Sequence, residues 1–315
     1  MNESVLSLNN VVKRYGEFTA VDDVSLSIPR GAIYGFLGPN GAGKTTTIRM
    51  ILEILKPSSG SISILGQPSA LNVRNRIGYL PEEKGLYKKM KVWAIIQYFA
   101  MLKGMEKKTA RDQAWSLLEK YGLKDFAEAK VEALSKGMSQ KVQVLSAVAH
   151  EPELVILDEP FTGLDPVNQS VLEDLINEMA ANGQTVIFST HVMQHAERLC
   201  DHILLIAKGK KIFDGTLAEA KATLPRRVFI ETADDVDSLR AVKGVEDISP
   251  FKTNDDGSTS NLWQVRVSEQ ADPQDILQQC FENDIKLNRF EFSEPSLHDV
   301  FVHLVGDEAR EHEFR

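Results

Sequence analysis

Residues Gly38 to Thr45 read GPNGAGKT, and that spacing of glycines, a lysine and a hydroxyl can hold a triphosphate largely through backbone amides. Gly38, Gly41 and Gly43 carry no Cβ, so the run Gly38-Pro39-Asn40-Gly41-Ala42-Gly43 can curl until successive N–H groups converge on phosphate oxygens. Lys44 would reach the β and γ phosphates, and the Thr45 hydroxyl would ligate a magnesium ion that also bridges them. Thr46 belongs to the same binding segment at the positive end of a helix dipole. Two elements must position this loop. Ala32 to Leu37 is an apolar run that predicts a buried strand feeding it, and Thr45 to Leu52 predicts the helix leaving it, with Pro57 closing the helical region.

A second constellation follows another apolar run, Leu154-Val155-Ile156-Leu157, which delivers the adjacent carboxylates Asp158 and Glu159 to its carboxyl end. Ligands bind at that end of the strands in open α/β sheets. Asp158 would hold magnesium from its outer shell. Glu159, pointing elsewhere because side chains alternate along a strand, could polarise or deprotonate an attacking water. Taken alone, Asp-Glu-Pro after a strand also reads as a polar turn.

Between these motifs stands Leu134-Ser135-Lys136-Gly137-Met138, followed by a helical run to His150. This stretch resembles the L-S-G-G-Q signature of ATP-binding cassette (ABC) proteins, and the resemblance extends over roughly Val5 to Leu224. It implies that Ser135, Gly137 and the helix start bind the γ phosphate of ATP held by an opposite subunit. Lys136 and Met138 depart from the common form; a solvent-facing Lys136 is favoured over a phosphate contact. Gly163-Leu164-Asp165 matches the family's D-loop, which crosses the subunit interface, although Asp165 before Pro166 also reads as a helix N-cap. Thr185 to Thr190 predicts a strand ending at His191, placed as the family's switch histidine, which touches the γ phosphate. Tyr15 sits where the family stacks adenine. Glu82, after Ile77 to Leu80, replaces the usual glutamine; as an oxygen ligand it keeps the contact to magnesium but alters the relay to a transport partner. Another alignment leaves Glu82 a surface charge. His150, His195 and His202 read as surface positions.

Composition agrees. The charge balance of 36 basic against 45 acidic residues, −9, argues against a general nucleic-acid surface. The apolar runs are short for a membrane span, and Met1 to Ser4 lacks the basic start of a signal peptide. Cys200 and Cys280 lack metal spacing and read as reduced thiols. These features predict a cytoplasmic chain, and the resemblance implies that it sits peripherally at the inner face of the cell membrane.

The expected fold class is α/β: a P-loop NTPase of the ABC cassette type over residues 1–224, with a mixed sheet core and a helical subdomain over about 86–150. In that subdomain Val92, Ile95, Ile96, Phe99 and Leu102 form one predicted apolar stripe. Met90, Trp93, Tyr98 and Met101 flank it as candidates for a groove that takes a membrane partner's helix. A small α+β domain follows over 225–305. Its order, a strand at Val228, a helix over Val236 to Val242, strands at Val245 to Phe251 and Leu262 to Val267, a helix over Gln274 to Asn283 and a strand over Lys286 to Phe292, is the ferredoxin-like split unit. Asn254 to Gly257 is a hairpin signal, Leu297, Val300, Phe301 and Leu304 share a face of a last helix, and 306–315 is a charged tail. This portion resembles the carboxyl-terminal extension of bacterial ABC exporter ATPases. The resemblance therefore implies a subunit that dimerises with itself or a related chain around ATP and Mg2+, hydrolyses ATP and drives integral-membrane permease subunits, with no nucleic acid involved. A soluble ABC ATPase acting on ribosomes or DNA is the alternative.

Overall fold

The structure is a computed structural model that describes residues 4–83, 85–251, 261–268 and 271–306. By contacts the chain divides into two units between Leu217 and Ala218.

The first unit opens with β1 (Ser4–Tyr15) and β2 (Phe18–Pro29), an antiparallel pair, followed by β3 (Ile33–Leu37), α1 (Lys44–Ile51) and β4 (Ser59–Ile64). Then come β5 (Ile77–Leu80) and the helices α2 (Val92–Leu102), α3 (Lys107–Lys120) and α4 (Lys136–Val148). The unit closes with β6 (Leu154–Asp158), α5 (Pro166–Ala181), β7 (Thr185–Thr190), α6 (Met193–Leu199), β8 (His202–Ala207) and β9 (Lys210–Thr216).

Two sheets result. One is antiparallel with the order β2-β1-β4; the other has the order β5-β6-β7-β3-β8-β9, parallel except for β9. Every residue of β3, β6 and β7 is buried, which explains why their centres do not alternate apolar with polar: strands of a parallel sheet covered on both faces have no solvent side, and the polar residues of β6 and β7 sit at the strand ends. Tyr34 of β3 is nevertheless fully buried with its hydroxyl donating to Asp214 of β9, and burial pushes that phenol well above its ordinary range. One core joins the inner faces of both sheets to α1 through residues such as Leu8, Ile28, Phe36, Ile48 and Ile187. Because β7 lies between β6 and β3, the loops after these three strands emerge side by side.

In the helical portion α2 packs on α3 and α4. Val92, Ile95 and Ile96 are buried as predicted, but Leu102 is 61% exposed. The buried arc of α2 turns instead toward Ala100 and Gln97, and the Gln97 amide is satisfied by donating to the Lys107 carbonyl at 2.8 Å.

The second unit begins within α7 (Leu217–Lys221), ahead of the Leu224-Pro225 break. It continues with β10 (Arg226–Glu231), β11 (Val245–Pro250), β12 (Leu262–Val267), α8 (Pro273–Glu282), β13 (Arg289–Ser293) and α9 (Leu297–Val305). The sheet order is β11-β12-β10-β13, antiparallel throughout, which is the ferredoxin-like arrangement. Where a helix is predicted over Val236 to Val242 there is only a short 3-10 helix, Asp237–Ala241. Its single buried residue, Leu239, is too small an apolar face to hold a longer helix. Val228, Ile230, Val265, Ile276 and Cys280 form this unit's own core. α9 starts with a capping box between Ser296 and Asp299. The hairpin signal at Asn254 to Gly257 and the tail beyond Gly306 lie outside the described residues.

Candidate functional site

The loop after β3 has the conformation its glycines allow. Gly38 sits at φ 152, and a Cβ there would lie 2.1 Å from the Ile206 carbonyl oxygen; at Gly43, φ 107, a Cβ would lie 2.6 Å from that of Ala20. Gly43 also caps α1 without any side-chain bond, so the amides of the first turn are left for an anion. The Pro39 carbonyl accepts from Ala42 N, while Asn40 and Gly41 form the exposed tip and Thr46 is half-buried in the first turn. Lys44 folds back under this arch, its ammonium donating to the carbonyls of Gly38 at 2.7 Å and Pro39 at 3.1 Å. Burial lowers its proton affinity, and the Glu159 carboxylate opposes that most strongly, with Asp158 and Glu82 adding to the opposition.

The carboxyl ends of β6 and β7 supply the facing wall. Asp158 is fully buried; its Oδ1 accepts from Ser189 Oγ at 2.5 Å and from Thr45 Oγ1 at 3.2 Å. Its Oδ2 is buried with no hydrogen-bond partner. Glu159 takes the left-handed backbone region at φ 48, which turns its carboxylate away from that of Asp158 and over the loop. Glu159 Oε1 faces Lys44 Nζ at 3.5 Å, Oε2 meets His191 Nδ1 at 3.1 Å, and the Glu159 amide donates to Ser189 Oγ at 2.9 Å. Ser189 therefore ties both carboxylate residues together. It was not singled out from the sequence, because its partnership with Asp158 follows from the parallel register of β6 on β7.

The remaining predicted residues lie in other places. Tyr15 ends β1, 49% exposed, with Lys13 Nζ 5.1 Å from its ring centre. Glu82 is exposed beyond β5, yet its charge reaches Lys44. Ser135 caps α4 by accepting from Met138 N at 3.2 Å, and Asp165 caps α5 by accepting from Asn168 N at 2.9 Å. A Cβ on Gly137 would lie 2.8 Å from Asn168 Nδ2, so the starts of α4 and α5 abut. Lys136 is exposed, with its chain laid against Gly163. Gln140 of α4 donates to the Pro160 carbonyl at 3.1 Å, a buried bond that the sequence reading missed.

The histidines differ from their surface expectation. His195 is only 5% exposed because its ring stacks on Phe161, with centroids 4.2 Å apart. His150 is half-buried with Nε2 against the Ile77 carbonyl at 3.2 Å, and His202 is half-buried in a stack on Tyr34. Burial depresses both His150 and His195 to about 4.

Comparison with known proteins agrees with this geometry. Residues 21–162 match the family model described as ABC transporter, and residues 215–305 match that of the ATP-binding protein DrrA1-3-like, C-terminal domain. The chain is 44% identical over 306 residues to the ABC transporter ATP-binding protein YhaQ of Bacillus subtilis, covering 96% of this chain and 99% of that one. The chain belongs to the ABC transporter ATP-binding family. It is likewise 33% identical over 311 residues to Nod factor export ATP-binding protein I of Ralstonia nicotianae, covering 98% and 95% of the two chains. Among solved structures it is similar to cbiO1 from Clostridium perfringens, part of the ABC transporter complex cbiONQ, with TM-score 0.63 and 27% identity over 70% of this chain and 91% of that one. As an ABC ATP-binding subunit the chain binds nucleotide, hydrolyses ATP to power transport and works with membrane permease components. Among the described residues no helix is long and apolar enough to cross a membrane.

The ABC family implies magnesium alongside ATP, and the residues present fit it. A hard dication takes oxygen ligands, and here a buried, unpartnered Asp158 Oδ2 stands on the carboxylate whose other oxygen meets the Thr45 hydroxyl at the entrance of the phosphate loop. Among the described residues no three His, Cys, Asp or Glu side chains form a metal cage, so phosphate and water oxygens would complete the shell.

Proposed function

We propose that two ATPase subunits of this family close head to tail around two ATP molecules, each phosphate loop of one chain covered by Ser135, Gly137 and Asp165 of the other. The single observation that carries the hydrolytic reading is the position of Glu159, whose carboxylate stands between Lys44 and His191 beside the buried Asp158. Lys44 then exchanges its loop carbonyls for β and γ phosphate oxygens, amides from Gly38 to Thr46 hold the rest, and Tyr15 offers an exposed ring to the adenine. Thr45 and Asp158 hold Mg2+, with Glu82 as a further oxygen ligand; the metal, when bound, neutralises charge on the phosphates. Glu159 takes a proton from the attacking water, and His191 orients that carboxylate and touches the γ phosphate.

Hydrolysis removes the charge that bridges two positive helix starts, so the dimer reopens and the motion passes to the permease. A cavity of about 220 Å3 between the end of β5 and the helices α2 and α4, lined by Tyr79, Leu80, Pro81, Leu86, Phe99 and Gln143, supports a docking groove for a permease helix. Beside it Tyr87 and Tyr98 are exposed and meet edge to face at 5.8 Å. The name of the Nod factor relative supports export as the direction; work with a permease supports the inner face of the cell membrane as the place of action, and the net charge of −9 supports a role without nucleic acid.

Isolation from mild-detergent membrane extracts, followed by mass spectrometry, tests the assembly. A stoichiometric multi-span protein is expected; recovery with ribosomes or nucleic acid instead would overturn the transport reading in favour of the soluble alternative.

A further inference from the structure

Beyond the last residue of β7, the chain that carries His191 meets the segment that carries Glu159 at two further points. The first meeting is the Glu159 to His191 contact at 3.1 Å. The second lies two residues further along one segment and four along the other, where His195 of α6 stacks on Phe161, ring centres 4.2 Å apart and planes within 12°. Both rings are buried, at 5% and 4% exposure, and Phe161 is wedged from its other contact by Phe188 of β7, edge to face at 5.8 Å.

Stacking is a close contact of the His195 ring. Its Nδ1 is buried without a hydrogen-bond partner, and the Glu173 carboxylate of α5 stands 3.8 Å away, beyond hydrogen-bond reach. Glu173 Oε1 instead lies 3.4 Å from Arg198 Nη1. The loop between the two contacts is short and braced, with Val192 N bonded to Thr190 Oγ1 at 3.0 Å and His195 N to the Val192 carbonyl at 3.2 Å. These bonds brace the backbone on either side of His191 between β7 and His195.

We infer that His195 is a positioning residue for ATP hydrolysis, its ring stacked on Phe161 to set the distance and angle at which His191 meets Glu159. The inference rests on the reading of Glu159 and His191 as the hydrolytic pair. His195 touches neither nucleotide nor the reacting atoms, so its loss acts on turnover and leaves nucleotide affinity alone: a misplacement of about 1 Å at a catalytic group costs on the order of 100-fold in rate.

The test is steady-state ATP hydrolysis by the full chain with its membrane subunits, comparing His195→Ala, His195→Phe, His195→Leu, Glu173→Gln and His191→Ala. Expected are a kcat at least about tenfold lower for the Ala and Leu variants with KM for ATP within about twofold, and recovery of most turnover in His195→Phe, which keeps a flat ring. Glu173→Gln retains native turnover. If the Ala variant does not fold, the Phe and Leu pair decides alone, because both fill the volume and only one stacks. Equal rates for Phe and Leu, or native turnover in His195→Ala, would overturn the inference. Native turnover in His191→Ala would instead remove the hydrolytic pair itself, which separates that failure from this one.

Discussion

Lys44 Nζ and Glu159 Oε1 stand 3.5 Å apart with only 5% and 8% of their side chains exposed. Burial lowers the proton affinity of the Lys44 ammonium while the facing carboxylate opposes that shift, and the arriving phosphates compete for the same ammonium. Replacing the carboxylate by an amide removes a proton acceptor without altering shape. Glu159→Gln should therefore lower kcat by about 100-fold or more while ATP binding persists, as measured by hydrolysis rates beside equilibrium titration of a fluorescent ATP analogue. Turnover near native would remove Glu159 from the role of base.

Lys44→Ala acts at the earlier step. It deletes the donor to the Gly38 and Pro39 carbonyls and strands the Glu159 carboxylate in a buried position. Nucleotide affinity should fall by about tenfold or more, the loss of one charge-assisted contact, and the same titration checks it. Unchanged affinity would contradict the phosphate-loop assignment.

Ser189 joins Asp158 Oδ1 to the Glu159 amide, so Ser189→Ala leaves a buried N–H without its acceptor and a buried carboxylate short of a donor. The expected loss is about 1–3 kcal/mol of unfolding free energy, read from urea midpoints, accompanied by a higher Mg2+ concentration for half-maximal ATPase. A midpoint equal to native would show that water replaces the hydroxyl at no cost.

Acid sensitivity follows from two desolvated imidazoles, one buried and one half-buried. His150 and His195 are depressed to about 4 in the folded chain, from an ordinary value of 6.5, so between those pH values the unfolded chain binds protons that the folded chain refuses. Stability accordingly rises with pH through that window and falls as pH drops from 6.5 toward 4. His195→Phe should flatten the dependence between pH 7 and pH 5 in urea denaturation, and an identical slope in the variant would refute the assignment for His195.

At the groove, Leu86→Ala with Tyr87→Ala should reduce recovery of the membrane partner while ATPase of the isolated chain is unchanged. Full recovery of the partner would place the docking surface elsewhere.

The phosphate loop, the carboxylate pair and His191 were legible because each is a local spacing attached to a largely apolar strand, and a parallel sheet places such strand ends together. Ser189 was not legible, since its meaning depends on which strand lies beside β6 and in what register. His195 was misread for a similar reason: a histidine on a seven-residue helix reads as surface until Phe161, from a different strand end, covers it. Leu102 failed in the opposite direction, because a stripe drawn on one helix ignores which side its neighbours occupy. In the second unit the order of elements was enough to give the sheet topology, as the split unit admits few arrangements, whereas Asp237–Ala241 was too short and too sparsely apolar to become the helix that its periodicity predicts.

The left-handed backbone at Glu159 has a consequence for how this protein ages under selection. A non-glycine residue held at φ 48 costs about 1 kcal/mol, which a glycine there would recover. Random drift toward sturdier folding thus pushes against this backbone strain, while the contacts to Lys44 and His191 and the proposed role in turnover hold the residue in place. A copy released from that demand, in a paired subunit whose second site falls silent, would gain from shedding the carboxylate only if the buried lysine that faces it changed as well.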